Sequence, residues 1–235
     1  MLVFTDCRIS REAAQGLLLH GHTPLPCPPH PSLDPAIASH PDMLLLVTQG
    51  GIFTHADYAP LLHELSPRLP LVPIAQSVQA QYPRDVLLNA AFIGQRLVCR
   101  PDATAAEVLD LARNKGVCIL PVRQGYAKCN TCIVSEHAVI TEDKSIANAL
   151  ANTDLDVLLI APGHVTLPGY AYGFIGGASG SDGKHVFFCG NLTAHPQGER
   201  IAAFCAAHGK QAISLANHPL TDVGSLLFFK SASEQ

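Results

Sequence analysis

Helix and strand signals alternate along this chain at nearly fixed intervals. Helix starts are expected near residues 10, 57, 104, 144 and 196, and the strands that follow them near 22, 71, 117, 156 and 211. Both series recur at roughly 47 residues, allowing a few residues of slack. Plain alternation would suit an ordinary doubly wound parallel sheet. A fixed recurrence predicts internal duplication instead, with each unit burying its apolar face against its neighbours.

The local signals within each unit are of known kinds. The first unit has a strand over 2–5, a helix over 11–19 that Ser10 could cap and Gly21 stops, and a strand over 22–25 running into a proline-rich turn region, 24–35. The second has a strand over 43–47, a Gly50–Gly51 turn, a helix over 58–65 and a strand over 71–74. The third has strands over 92–93 and 97–99, a helix over 105–114 with Thr104 as cap, and a strand over 117–122. In the fourth, strands over 131–135 and 138–141 precede a helix over 144–151, started by Thr141 or Asp143, and a strand over 156–160. The fifth has strands over 173–178 and 185–189, a helix from Pro196 to Ala207 and a strand over 211–215.

The last apolar segment, 225–229, has no helix after it, and the first strand lacks a partner of its own kind. Pairing these two would complete the first unit and remove an exposed edge. The expected architecture is one α/β domain over 1–235, a five-bladed pseudo-symmetric propeller of strand–strand–helix–strand repeats. The repeats run roughly over 1–35, 36–85, 86–127, 128–168 and 169–220, with 221–230 closing the ring onto the first.

Composition narrows the function classes. Apolar residues make up 48% and charged residues 14% of the chain, which excludes disorder as the main state. Low surface charge makes a second copy of the chain a candidate partner. A net charge of −4 with no basic stripe argues against nucleic acid. No apolar run reaches membrane-spanning length and no secretory leader is evident, so a cytoplasmic protein without a membrane partner is expected. The eight cysteines are expected to be reduced, with Cys99, Cys118, Cys189 and Cys205 packed in apolar runs.

Polar clusters recur at comparable places in the units. They are Tyr82-Pro83-Arg84-Asp85 with Asn89, the run 125–132 with 141–143, the glycine-rich run 169–180, Gly190-Asn191 with His195, and Thr221 to Ser225. In a ring, strand starts converge on the axis, so these clusters could line one cavity. Each also has a plainer reading: Asp143 or Thr141 as a helix cap, Gly176-Gly177 as a tight turn or strand crossing, Asp222 as a turn residue. Candidate ligand-binding residues are Asp85, Asn89, Lys128, Asn130, Tyr172, Ser179, Asn191, Asp222 and Ser225.

The candidate catalytic set is Cys129 as nucleophile, with His195 and Asp143. Cys129 and Cys132 form a lone CxxC leading into a strand, not a helix, and no second pair completes a zinc site, so no metal is expected. The histidines in the N-terminal third, at 20, 22, 30, 40, 55 and 63, are expected mostly near turns or helix surfaces. No dinucleotide loop is present and no cofactor is implied.

The five units, the ring closure and the Gly/Asn-bearing strands together resemble the pentein fold of guanidino-group-modifying enzymes. The motifs YPxD, GYxKCN, GYxYGFIGG and the closing TDVGS are similar to those of an uncharacterised bacterial family within it. The resemblance implies an essential cysteine at the start of the closing strand, assisted by a histidine and carboxylates. At that place this chain has Asp222-Val223-Gly224-Ser225, so any chemistry would fall to Cys129 or Ser225. Three readings stay open. One is a protein that binds a small molecule in a polar axial cleft. Another is a hydrolase or transferase acting on a guanidino or other C–N compound through a cysteine. The last is a noncatalytic interaction protein.

Overall fold

A computed structural model describes residues 1–230. It contains five three-stranded sheets, each built on one plan. The first sheet places β1 (Leu2–Asp6) between β2 (Thr23–Cys27), reached through helix α1 (Arg11–Leu19), and the last strand of the chain, Leu227–Phe229. The second contains β3 (Leu45–Thr48), β4 (Gly51–His55) and β5 (Leu71–Ile74). A short helix α2 (Pro41–Leu44) leads into β3, and α3 (Ala59–Leu65) lies before β5. The third contains β6 (Ala91–Ile93), β7 (Arg96–Cys99), α4 (Ala106–Asn114) and β8 (Cys118–Pro121). The fourth contains β9 (Thr131–Ser135), β10 (Ala138–Thr141), α5 (Lys144–Leu150) and β11 (Asp156–Leu159). The fifth contains β12 (Ser179–Ser181), β13 (His185–Phe188), α6 (Gly198–Ala207) and β14 (Gln211–Ser214).

In each sheet the middle strand pairs antiparallel on one side and parallel, through its helix, on the other. The final strand, β15, fills the antiparallel place in the first sheet, with Leu2 opposite Phe229 and Phe4 opposite Leu227. The five antiparallel partners β3, β6, β9, β12 and β15 lie inside. β12 packs against β9 and β15, β6 against β9, and β15 against β3. Residues from all five line one cavity of about 170 Å³.

The parallel strands are outer edges, and their composition shows it. Pro24 and Pro26 in β2, Pro73 in β5 and Pro121 in β8 lie on strands paired on one side only. An edge strand can hold a proline because its unpaired side needs no N–H. The expectation that the strand over 22–25 gives way to a proline-rich turn region from 24 is therefore corrected: β2 runs from Thr23 to Cys27.

Other local expectations also shift. Residues 41–44 are helical, so β3 begins at Leu45. Thr104 does not cap α4. Its hydroxyl donates to Arg100 O, and Ala105 is the cap residue. Ser10 and Asp143 do cap their helices, accepting from the backbone N–H of Ala13 and of Ser145 and Ile146. Cys118 is exposed at the start of an edge strand. His22, His30, His40 and His55 are buried, not superficial. His55 bonds Met43 O, and His30 pairs with Asp57. The run 173–178 is not a strand: 175–178 is turn, and the inner strand starts only at Ser179.

The first and fifth sheets are joined by a cluster containing Val3, Leu17, Phe187, Leu215 and Leu226. Phe187 has no exposed surface, stacks on Phe228 at 5.4 Å and meets the His22 ring edge-on. Phe187→Ala is expected to lower the unfolding free energy by about 3–5 kcal/mol in urea titration. Phe187→Leu, which refills most of the volume, should cost well under half of that loss.

Candidate active site

The polar residues that converge inside the protein sit in the turns just before the inner strands. Asn89 precedes β6, Cys129 β9, Gly177 β12 and Ser225 β15, while Asp42 lies in the helical turn before β3. The turns before the inner strands thus bring side chains from four of the sheets, and the glycine backbone of the fifth, to the same place.

Asp42 is the meeting point. Its Oδ2 accepts a hydrogen bond from Ser225 Oγ at 2.6 Å and lies 3.1 Å from Cys129 Sγ, which donates to it. Asn89 holds the other side of the thiol. Its Nδ2 donates to Cys129 Sγ at 3.0 Å and to Asp42 O at 3.3 Å. Its Oδ1 accepts the backbone N–H groups of Lys128 and Cys129, which fixes the turn that presents the thiol. Lys128 Nζ donates to Ser225 Oγ at 2.9 Å. Ser225 adopts a left-handed conformation, φ +69°, which costs a non-glycine residue of order 1 kcal/mol or more. The three hydrogen-bonding neighbours of its hydroxyl, Asp42, Lys128 and Gly176 O, hold it there.

Asp222 forms the second carboxylate position. Its oxygens accept the backbone N–H groups of Phe174 and Gly224, each at 2.9 Å. His40 lies between two acids, with Nδ1 3.7 Å from Asp222 and Nε2 3.7 Å from Asp6. The glycines of 173–180 are what let this chain segment approach. A Cβ on Gly177 would stand 2.1 Å from Asp222 Oδ1, and one on Gly176 2.4 Å from Lys128 O. Both glycines are therefore steric requirements of the site.

Cys129, His40 and Asp222 open onto a cavity of about 120 Å³ whose remaining walls include Tyr126, Tyr170, Tyr172, Phe174 and Leu167. Cavities of about 460 and 730 Å³ elsewhere contain none of these three polar residues, so size alone does not mark the site.

The electrostatics are those of an acid-rich interior. Asp6, Asp42, Asp222 and Glu142 are all buried, and Lys128 is the only buried lysine or arginine among the described residues. Burial, then the charges of Asp42 and Asp222, push the Cys129 thiol well above its ordinary value, against the Asn89 hydrogen bond. Burial also raises Asp222; His40 and the two N–H donors oppose the shift and Asp42 adds to it. Glu142, whose Oε2 accepts Ile175 N–H, is pushed up to about 7 by burial, with Asp222 adding to the shift. Asp42 Oδ1 and Glu142 Oε1 are buried without a hydrogen-bond partner.

The sequence-derived candidates divide into two groups. Cys129, Asn89, Lys128, Asp222 and Ser225 are brought together, and Tyr172 lines the same cavity. Asp85 stands one step out, bonded to the Tyr126 hydroxyl. Asn130 donates to Tyr126 O and braces the turn. Ser179 bonds Gly176 O. The other three are placed elsewhere. Asp143 caps α5, Asn191 caps the 3-10 turn Leu192–Ala194, and His195 accepts from Gln197 N–H and packs on the His164 ring. None of these three hydrogen-bonds Cys129, so its proton acceptor is Asp42. Asp6, His40 and Asp42 escaped the sequence reading. The pattern that would have found Asp42 is its place just before an inner strand, as with Asn89, Cys129 and Ser225. Among the described residues no group of three or more His, Cys, Asp or Glu side chains is arranged to hold a metal ion.

Glu142 gives a direct check on this charge balance. The unfolded chain releases its proton near 4.5 and the folded protein near 7, so the folded state holds more protons between those values. The carboxyl's contribution is full below 4.5 and is lost as pH rises through 7. Glu142→Gln keeps an acceptor for Ile175. It is expected to match the wild type near pH 4 and to exceed it by about 3 kcal/mol at pH 8, read by urea unfolding.

Comparison with known proteins now bears on this geometry. The SxtG amidinotransferase from Microseira wollei superposes with TM-score 0.57 and 11% identity over 91% of this chain and 87% of that one. The DDAH from Pseudomonas aeruginosa, solved with citrulline, gives 0.54 and 10% over 91% of each chain. The agmatine deiminase of C. jejuni gives 0.50 and 10% over 83% and 70%. These likenesses show the pentein fold. No match is found among curated proteins. The model of a family of unknown function, DUF6873, matches residues 4–227, and the chain belongs to that family.

Proposed function

We propose that this protein binds a small cationic molecule with a planar, nitrogen-rich head, a guanidino or related C–N compound, in the cavity at Cys129. In this reading the five sheets are blades of a pseudo-symmetric propeller and the cavity lies on its axis. The observation that carries the proposal is the charge imbalance. Five carboxylates are buried, Asp6, Asp42, Asp85, Glu142 and Asp222, and only Asp6 has an arginine partner, Arg8; the one buried lysine among the described residues is tied to Ser225, and one Asp42 oxygen has no partner. An uncompensated buried carboxylate is costly, and a bound cation relieves that cost. The aromatic walls supply faces for a planar cation, and a guanidinium can address two carboxylate oxygens at once. The structural neighbours are guanidino-modifying enzymes, which supports the same ligand class. Eight unpaired cysteines suit a reducing, cytoplasmic setting.

A second reading makes the site a cysteine-dependent hydrolase or transferase, and the hydrogen bond from Cys129 to Asp42 favours it. A bound cation would lower the thiol's pKa by screening Asp42 and Asp222. Cys129 Sγ would then pass its proton to Asp42 and attack the central carbon of the head. The C–S bond would form and the C–N bond break, with the departing amine taking up the proton that Asp42 received; His40 lines the same cavity. Water, or an acceptor amine in a transferase, would then displace the sulfur.

Calorimetry with methylguanidine and agmatine should show binding that uncharged methylurea lacks. Asp222→Asn is expected to weaken it at least tenfold. Equal binding of methylurea, or no binding of any of the three, would refute the cation site. For the second reading, ammonia or amine release that disappears in Cys129→Ala is the expected result. Tight binding without release would leave the binding reading alone.

A further inference from the structure

The inner strands border a second, partly open cavity of about 170 Å³, which Lys128 lines and Cys129 does not. Its walls are apolar and come from all five sheets: Leu46, Phe92, Ile133, Leu226 and Phe228 among them. Lys128 is the one charged residue that lines it. An ammonium has three N–H donors, and among the described residues Lys128 Nζ has a single acceptor, Ser225 Oγ. The remaining donors belong to a side chain that is only 9% exposed, at the end of an apolar cavity. Although the interior as a whole is acid-rich, none of its carboxylates hydrogen-bonds this ammonium among the described residues, so its open donors call for an acceptor of their own. A cavity of about 170 Å³ equals the share of roughly five or six waters, which excludes nucleotides and other large anions.

The geometry points to a second small-molecule site here, one that takes a short aliphatic carboxylate with its oxygens on Lys128 Nζ and its chain along Leu46, Phe92 and Phe228. This site is separate from the cation cavity, which neither Phe92 nor Phe228 lines. The two meet through the Lys128–Ser225–Asp42 hydrogen bonds. An anion on Lys128 competes with Ser225 for the ammonium and so leaves Asp42 less compensated.

Sodium hexanoate and hexylamine hydrochloride at matched ionic strength are suitable probes, read by ligand-observed NMR and by thermal shift. The expected result is saturable binding of hexanoate, with hexylamine at least tenfold weaker. Lys128→Gln should abolish hexanoate binding. Because that variant also removes a buried hydrogen bond, Ser181→Asp provides an independent arm. Ser181 lines the cavity and is partly exposed; its hydroxyl donates to His185 O and accepts from Gly183 N–H, the second of which an aspartate can keep, so the variant sets a negative charge beside the cavity without emptying the core. Loss of at least tenfold in hexanoate affinity is expected. Equal binding of the two probes, or unchanged hexanoate affinity in Ser181→Asp, would overturn the proposal.

Discussion

The Asp42 carboxylate is the interaction on which the interior depends. One of its oxygens accepts from both Ser225, in the turn before the last strand, and Cys129, in the turn before β9. Asn89, before β6, reaches the same thiol and the Asp42 carbonyl. Four units of the chain thereby meet within a few ångströms. The fifth closes over them through Gly176 and Gly177, whose missing Cβ atoms permit the approach. A buried carboxylate with satisfied and unsatisfied oxygens is costly in isolation. Its persistence therefore requires that the surrounding backbone, including the left-handed Ser225, be held by packing elsewhere. The cluster joining the first and fifth sheets supplies that support directly behind the closing strand.

Much of the fold was legible because it rests on periodicity. Capping by Ser10 and Asp143, the helix-ending glycines and the spacing of helices and strands are local signals, and each unit repeats them. The errors arose where tertiary position overrides local composition. Pro24 and Pro26 read as turn but lie in an edge strand, where only one side of the backbone is paired. The glycine-rich run 173–178 read as strand, but its residues 175–178 form a turn laid over Lys128 and Cys129. The site was legible in part for the same reason. Asn89, Cys129 and Ser225 sit in conspicuous polar clusters before strands. Asp42 is hidden behind a proline and followed by Met43-Leu44-Leu45-Leu46, so it read as the edge of an apolar segment. His195 and Asp143 were attractive as residue types, yet helix and turn capping fully accounts for Asp143 and a local hydrogen bond positions His195.

The two cavities give the interior a polarity that composition does not reveal. On one side Asp222, His40 and the Cys129 thiol face largely aromatic walls. On the other Lys128 is the one charged residue in an apolar lining. Ser225 stands between them, accepting from Lys128 and donating toward Asp42. This arrangement departs from what the pentein resemblance implies for the closing segment, where a cysteine is expected and a serine stands. Here the thiol comes from the fourth unit instead, and the serine is absorbed into the network that orients its acceptor.

Cys129 and Asp42 must then be electrostatically coupled, since the charge of Asp42 helps hold the thiol protonated. The most direct test is the rate of Cys129 alkylation by iodoacetamide as a function of pH, resolved by peptide mass spectrometry, in the wild type and in Asp42→Asn. Removing the charge at nearly constant volume is expected to move the apparent pKa of Cys129 downward and to raise its rate at pH 8 several-fold. The exposed Cys7, alkylated in the same samples, should keep the same pH profile in both proteins. A Cys129 profile that is unchanged or shifted upward in Asp42→Asn would contradict the account.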